Sequence, residues 1–183
     1  MNTTSTSPPA IPSPSDAAVM LRGAIGQIQF ARNYTLELLE NTPRDLWFTI
    51  PEGLPTHIAW QVGHLTVSQY GLLMFRIRGR QPDDLDLIPS RFRKAYGRES
   101  APNADPSSQP SPDELLERFA KVHADSLQVL SEVEPSALLE PIDMPYAAFP
   151  NKLGAVLFCP IHEGIHAGQL GVLRRAHGLK SVR

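Results

Sequence analysis

The chain has 183 residues, enough for one compact domain that buries a core without disulfide or metal staples. Its 17 Lys and Arg against 19 Asp and Glu leave a net charge of -2, so no global field points to nucleic acid or to an anionic membrane surface. Cys159 is the single cysteine, which excludes an intrachain disulfide, and no apolar run approaches the ~18 residues of a membrane span.

Residues 1–15 are rich in Ser, Thr and Pro and carry neither the basic residues nor the apolar stretch of a signal peptide. They read as a disordered tail, and a cytoplasmic protein is expected. The compact domain is expected over residues 16–178, with a short tail at 179–183.

Apolar residues recur with a helical period and never with convincing strand alternation, which predicts an all-α domain. The first helix is expected from about Asp16 to Glu40, capped by Ser15, with Leu21, Ala24, Ile25, Ile28, Ala31, Thr35 and Leu38 along one stripe. The second is expected from Pro55, in its first turn, to Arg78, with Gly79 just past its end. Residues 80–110 show no period and are crowded with Pro, Asp and Ser, an unusually long connection for a small domain. Such a segment can span the length of a bundle, so the helices it joins can lie parallel. Ser111-Pro112-Asp113-Glu114 is a capping box, and the third helix follows it to Pro135. The fourth runs from about Asn151 to His177 and ends at Gly178; Pro160 inside it predicts a kink beside His162.

His162-Glu163-Gly164-Ile165-His166 sets two imidazoles one helical turn apart, roughly 6 Å between Cβ atoms, where both rings can converge on one ion. On a helical projection His162, His166, Gln169 and Leu173 lie close together, with Ile161, Ile165, Val172 and Ala176 beside them and Glu163, Arg174 and Arg175 opposite. That projection puts the two histidines on the core side and Glu163 in an exposed salt bridge. Two neighbouring imidazoles facing a core need polar partners, and a metal supplies one to both. In the second helix His57, Trp60, His64, Gly71 and Phe75 form one stripe, so His64 faces inward as a third candidate ligand. His57 lies about 10.5 Å along the axis from His64, too far to share its ion, and is expected at the pocket mouth or as a cap. Trp60 and Gln169 are the other candidate pocket residues. His123 reads as a core-edge histidine, His177 as a cation suited to a helix C-terminus, and Cys159 as a small buried hydrophobe.

His-Glu-x-x-His is also the zinc-protease string, with Glu163 as general base. Against that reading, no Asp or Glu follows Glu163 to act as a third ligand, and Val172 stands where an extended pattern of that class needs a histidine. Gly164, Ala167, Gly168 and Gly171 form a small-residue strip, read as a close intramolecular helix contact or a dimer contact, with a lean towards the former.

The segment from His162 to Leu170, followed by Leu173-Arg174-Arg175-Ala176-His177-Gly178, resembles the C-terminal signature of the DinB-like superfamily. Trp60-Gln61-Val62-Gly63-His64-Leu65 resembles that family's second-helix motif. The resemblance implies a four-helix bundle of up-down-down-up topology with a long crossover between its second and third helices. It implies three histidine ligands that map onto His64, His162 and His166. The ion it implies is zinc or nickel, with iron or manganese also found. It further implies a homodimer and, in characterised relatives, S-transfer or isomerisation with low-molecular-weight thiols.

Three protein nitrogens leave a metal an open position for water or substrate. The expected protein is therefore a metal-dependent enzyme, a thiol S-transferase or a hydrolase, acting on a small molecule. The alternative is a metal-containing binding or stress-response module without turnover.

Overall fold

A computed structural model describes residues 10–143 and 147–182. The part of the expected tail before residue 10 and the last residue of the C-terminal one lie outside them. Six helices account for the architecture: α1 (Pro14–Glu40), α2 (Ile58–Tyr70, extended by a π turn at Gly71–Phe75 and a last turn at Arg76–Arg78), α3 (Asp84–Leu87), α4 (Ser90–Tyr96), α5 (Pro112–Glu132) and α6 (Lys152–Ala176). Among the described residues there is no strand, only an isolated bridge between Pro141 and Asn151.

The four long helices form a bundle, and the two halves of its core reveal their directions. One half joins Leu38 and Leu39 of α1, Val62 and Leu65 of α2, Leu115 and Phe119 of α5, and Leu170 and Leu173 of α6. The other joins Leu21 and Ile28, Leu73 and Ile77, Leu130, and Leu153 and Val156. The C-terminal halves of α1 and α6 thus meet the N-terminal halves of α2 and α5. α1 and α6 run one way, α2 and α5 the other.

Helix ends follow local chemistry. Ser13, rather than Ser15, caps α1 in a reciprocal box with Asp16, because Pro14 then takes the first helical position where its missing N–H is not needed. The tail expected to reach residue 15 therefore stops short of the helix that starts at Pro14. The box predicted at Ser111 and Glu114 is present, and Asn151 caps α6. α2 begins three residues later than its proline suggests: His57 is extended, and its Nδ1 accepts the Trp60 N–H at 3.1 Å.

The π turn changes which residues α2 buries. One extra residue per turn shifts the azimuth of everything beyond it, so Phe75, placed by sequence on the His64 stripe, is 49% exposed while Leu72, Leu73 and Met74 are buried. Arg76 Nη1 donates to the Gly71 carbonyl at 2.9 Å within that turn.

The crossover is built rather than irregular. Leu87, Ile88, Phe92 and Tyr96 enter the core through α3 and α4. Nor is the C-terminal segment a free tail. Arg174 Nη2 donates to the Lys180 carbonyl at 3.2 Å, and Val182 packs on the core.

Candidate metal centre

His64, His162 and His166 come together where α2 and α6 cross near the crossover. Each offers a ring nitrogen, and these atoms all lie within 4.8 Å of one another. The ring centroids are 4.5 Å apart for His162 and His166, 4.8 Å for His64 and His166, and 5.3 Å for His64 and His162. His64 and His166 are buried, and His162 lies at the rim.

Two of the rings have their Nδ1 atoms committed. His64 Nδ1 lies 2.9 Å from the carbonyl of Tyr96, which can only accept, so the ring nitrogen donates. His166 Nδ1 donates to Gln61 Oε1 at 2.5 Å. Each ring is left with its Nε2 lone pair, the form a metal ligand requires. Ser68 Oγ reaches His64 Nε2 at 3.4 Å, and Trp60 stacks on the His64 ring at 4.8 Å between centroids and 8° between planes.

Electrostatics keep the rings neutral. Burial, then the neighbouring His64, takes His162 down to about 4. Burial, then His162 and His64, takes His166 down to about 3. His64 is also lowered, chiefly by burial. Three neutral imidazoles with ring nitrogens within 4.8 Å of one another are a donor set for a borderline divalent ion, and the residues fit a metal.

The other candidates take distinct places. His57 is 1% exposed; with Nδ1 used as the α2 cap, its Nε2–H donates to the Asn103 carbonyl at 3.0 Å. It is a structural cap that ties α2 to the crossover. Trp60 Nε1 donates to Ser100 Oγ at 3.0 Å, a second tie between them. Gln169 is exposed and lies beside His166. His123 packs at the core edge, its Nδ1 3.2 Å from Gln69 Nε2, and Cys159 is buried with its thiol pushed up by burial.

The azimuth expected for the fourth helix is corrected. Ile161, Ile165 and Val172 are 59%, 53% and 43% exposed, whereas Glu163 is 2% and Arg174 5% exposed. Both charges are buried because both are hydrogen-bonded. Glu163 Oε1 accepts from Arg32 Nε at 2.7 Å. Arg174 Nη1 donates to the Leu38 carbonyl at 2.8 Å and to the Asn41 carbonyl and Thr42 Oγ1, both at 2.5 Å, satisfying acceptors at the end of α1. The histidines therefore sit at one edge of the buried arc, which leaves His162 open to the rim. The small-residue strip divides: Ala167 is 2% exposed, while Gly164 and Gly168 face open space.

Sequence reasoning missed Gln61, the Tyr96 carbonyl and Arg32. Gln61 stands inside the quoted second-helix motif, and Ile88, Phe92 and Tyr96 recur every four residues, so both had a readable signal. Arg32 had none beyond its place on the stripe of Ile28 and Thr35.

Close approach makes the Tyr96 contact. A Cβ on Gly63 would lie 2.3 Å from the Tyr96 ring, so only glycine lets α4 lie this close to α2. A cleft of about 1300 Å³ opens between the crossover and α5, lined by Arg91, Phe92, Arg118 and Lys121 among others. Among the described residues no histidine lines it, and it meets the centre only through Tyr96.

With three nitrogens converging and Glu163 turned into the core, the arrangement could hold an ion and does not offer Glu163 as a general base. No curated protein matches the chain significantly. Comparison with protein families matches residues 27–170 to the DinB superfamily. The histidine triad, the helical bundle and that match, which spans most of the sequence, lead to one conclusion: the chain belongs to the DinB superfamily.

Proposed function

We propose that the protein is a cytoplasmic metal-dependent enzyme in which His64, His162 and His166 hold one divalent ion, zinc or nickel ahead of iron or manganese. The convergence of three ring nitrogens within 4.8 Å carries this reading. Support comes from the two Nδ1 hydrogen bonds, which put the proton on Nδ1 and so give Nε2 of His64 and His166 the lone pair that coordination needs.

When bound, such an ion with an open position activates water or a thiol and polarises an acceptor. The chain's own residues supply the rest. His162 at the rim leaves the centre accessible to a small molecule. Trp60 gives an apolar stacking wall, and Gln169 and Ser68 offer hydrogen bonds beside the rings. The reaction class proposed is S-transfer with a low-molecular-weight thiol, or hydrolysis. Protease chemistry is disfavoured because Glu163 is held by Arg32 at 2.7 Å. A metal-containing binding or stress-response module is the second reading, favoured by the cleft beside α5 lying away from the histidines.

Elemental analysis of tag-free protein tests the metal. One equivalent of a divalent metal is expected, lost in His166→Ala; absence of metal from the native protein would refute the reading. Turnover of electrophiles with thiol co-substrates by the metal-loaded protein separates enzyme from module.

A homodimer belongs to the same proposal. Exposed Ile161, Ile165 and Val172, with open space over Gly164 and Gly168, give α6 a face on which a second copy can pack closely. Light scattering at micromolar concentration should give twice the chain mass, and Ile165→Lys should halve it. A wild-type monomer would count against the dimer.

A further inference from the structure

Gln61 lies one turn before His64 and is 1% exposed, yet its amide makes no contribution to the apolar core around it. Both ends of the amide are hydrogen-bonded. Oε1 accepts from His166 Nδ1 at 2.5 Å, and Nε2 donates to Thr56 Oγ1 at 3.1 Å. Gln61 is thus a buried polar bridge from the segment before α2 to a histidine on α6, 105 residues away in sequence.

The partner of Nδ1 decides which tautomer an imidazole adopts, and so whether Nε2 carries a lone pair or a proton. For His64 the decision is made by a backbone carbonyl, which can only accept and has no alternative. For His166 it is made by a primary amide, which can turn over. Turned, the amide would donate to Nδ1, the proton would move to Nε2, and that nitrogen would be unable to bind an ion. Thr56 Oγ1 accepts from the NH2 end, so the amide as placed presents its oxygen to the ring. The two histidines thus depend on different kinds of acceptor, and only one of those depends on a side chain.

We propose that Gln61 is a positioning residue: held by Thr56, it keeps His166 in the Nδ1–H tautomer and aims its Nε2 at the point shared with His64 and His162. The proposal rests on the reading of those three histidines as a metal centre.

Two readouts test it. In metal-free protein, 15N NMR of the His166 ring reports the tautomer directly. In wild type the Nδ1–H form is expected to dominate; in Gln61→Met, which keeps the side chain's length without an acceptor, the preference is lost. Chelator competition with zinc should show Gln61→Met binding ~10–100-fold more weakly, the usual penalty for removing such a partner. Gln61→Glu, an obligate acceptor of the same shape, should retain both the tautomer and the affinity. That rescue separates positioning from bulk packing. An unchanged tautomer in Gln61→Met overturns the proposal, as does failure of Gln61→Glu to rescue. Should Gln61→Met not fold, Thr56→Val makes the same measurement, with a partial loss in the same direction expected and no change in either readout overturning the proposal. Failure of wild type to bind zinc or any other divalent ion would refute the metal reading instead, while the tautomer measurement would still decide whether Gln61 orients the ring.

Discussion

Arg32 shows how a charge comes to be at the centre of a helical bundle. At 1% exposure its guanidinium donates to Glu163 through Nε at 2.7 Å, to the Phe119 carbonyl at 2.9 Å and to Gln69 Oε1 at 2.7 Å. It also lies over the Phe119 ring. All four long helices meet at this one side chain, beside the turn that carries His162. Burying an ion pair costs desolvation free energy that its attraction only partly offsets, so its value is better sought in geometry than in net stability. Arg32→Met strands the Glu163 carboxylate and is expected to cost about 3–5 kcal/mol in urea unfolding. The double variant Arg32→Met with Glu163→Leu should recover most of that loss. A double variant as unstable as the single would show that packing around the guanidinium, rather than the stranded charge, sets the cost.

At the scale of elements, the sequence carried the helices well and their faces less well. The box at Ser111 and the apolar stripes of α1 and α5 were readable because capping and burial there obey local rules. The paired histidines were readable for the same reason. The face of α6 was not: reasoning that sends Ile inward and Glu outward fails when Glu163 finds an arginine on another helix, a contact separated by 131 residues. The phase shift at Gly71–Phe75 likewise comes from a π turn that no period announces. The recurrence of Ile88, Phe92 and Tyr96 marked the crossover as core-forming but not its part at the centre, which Tyr96 plays through its backbone. Gly63 makes this contact testable. A Cβ there would meet the Tyr96 ring at 2.3 Å, so Gly63→Ala should push α4 off α2 and draw its carbonyl from His64. A stability loss of about 1–3 kcal/mol is expected, the ordinary range for overpacking. Weaker zinc binding should accompany it. Unaltered zinc affinity alongside the stability loss would mean that His64 keeps its orientation without the carbonyl.

For the whole molecule, the histidines make acid the stress that discriminates best. His123 is lowered to about 4, by burial and then by Arg32, and His162 and His166 to about 4 and about 3. In the unfolded chain each titrates near its ordinary value of about 6.5. Between that value and about 4 the unfolded state therefore binds protons that the folded state refuses. Stability is present in full above pH 6.5, falls as pH drops through this window, and levels off below the folded-state values; the slope is at most about 1.4 kcal/mol per pH unit for each such proton. His123 allows the effect to be isolated, because it stands outside the triad and its Nδ1 accepts from Gln69, a bond that a glutamine oxygen can also accept. In chelator-treated protein, His123→Gln should lose less stability than wild type between pH 7.5 and pH 5 in urea unfolding. Parallel losses in the two proteins would exclude His123 as a source of acid sensitivity. Divalent metal should add a second, steeper component, since protons compete directly for the ligand nitrogens and release of the ion removes its linkage to the folded state.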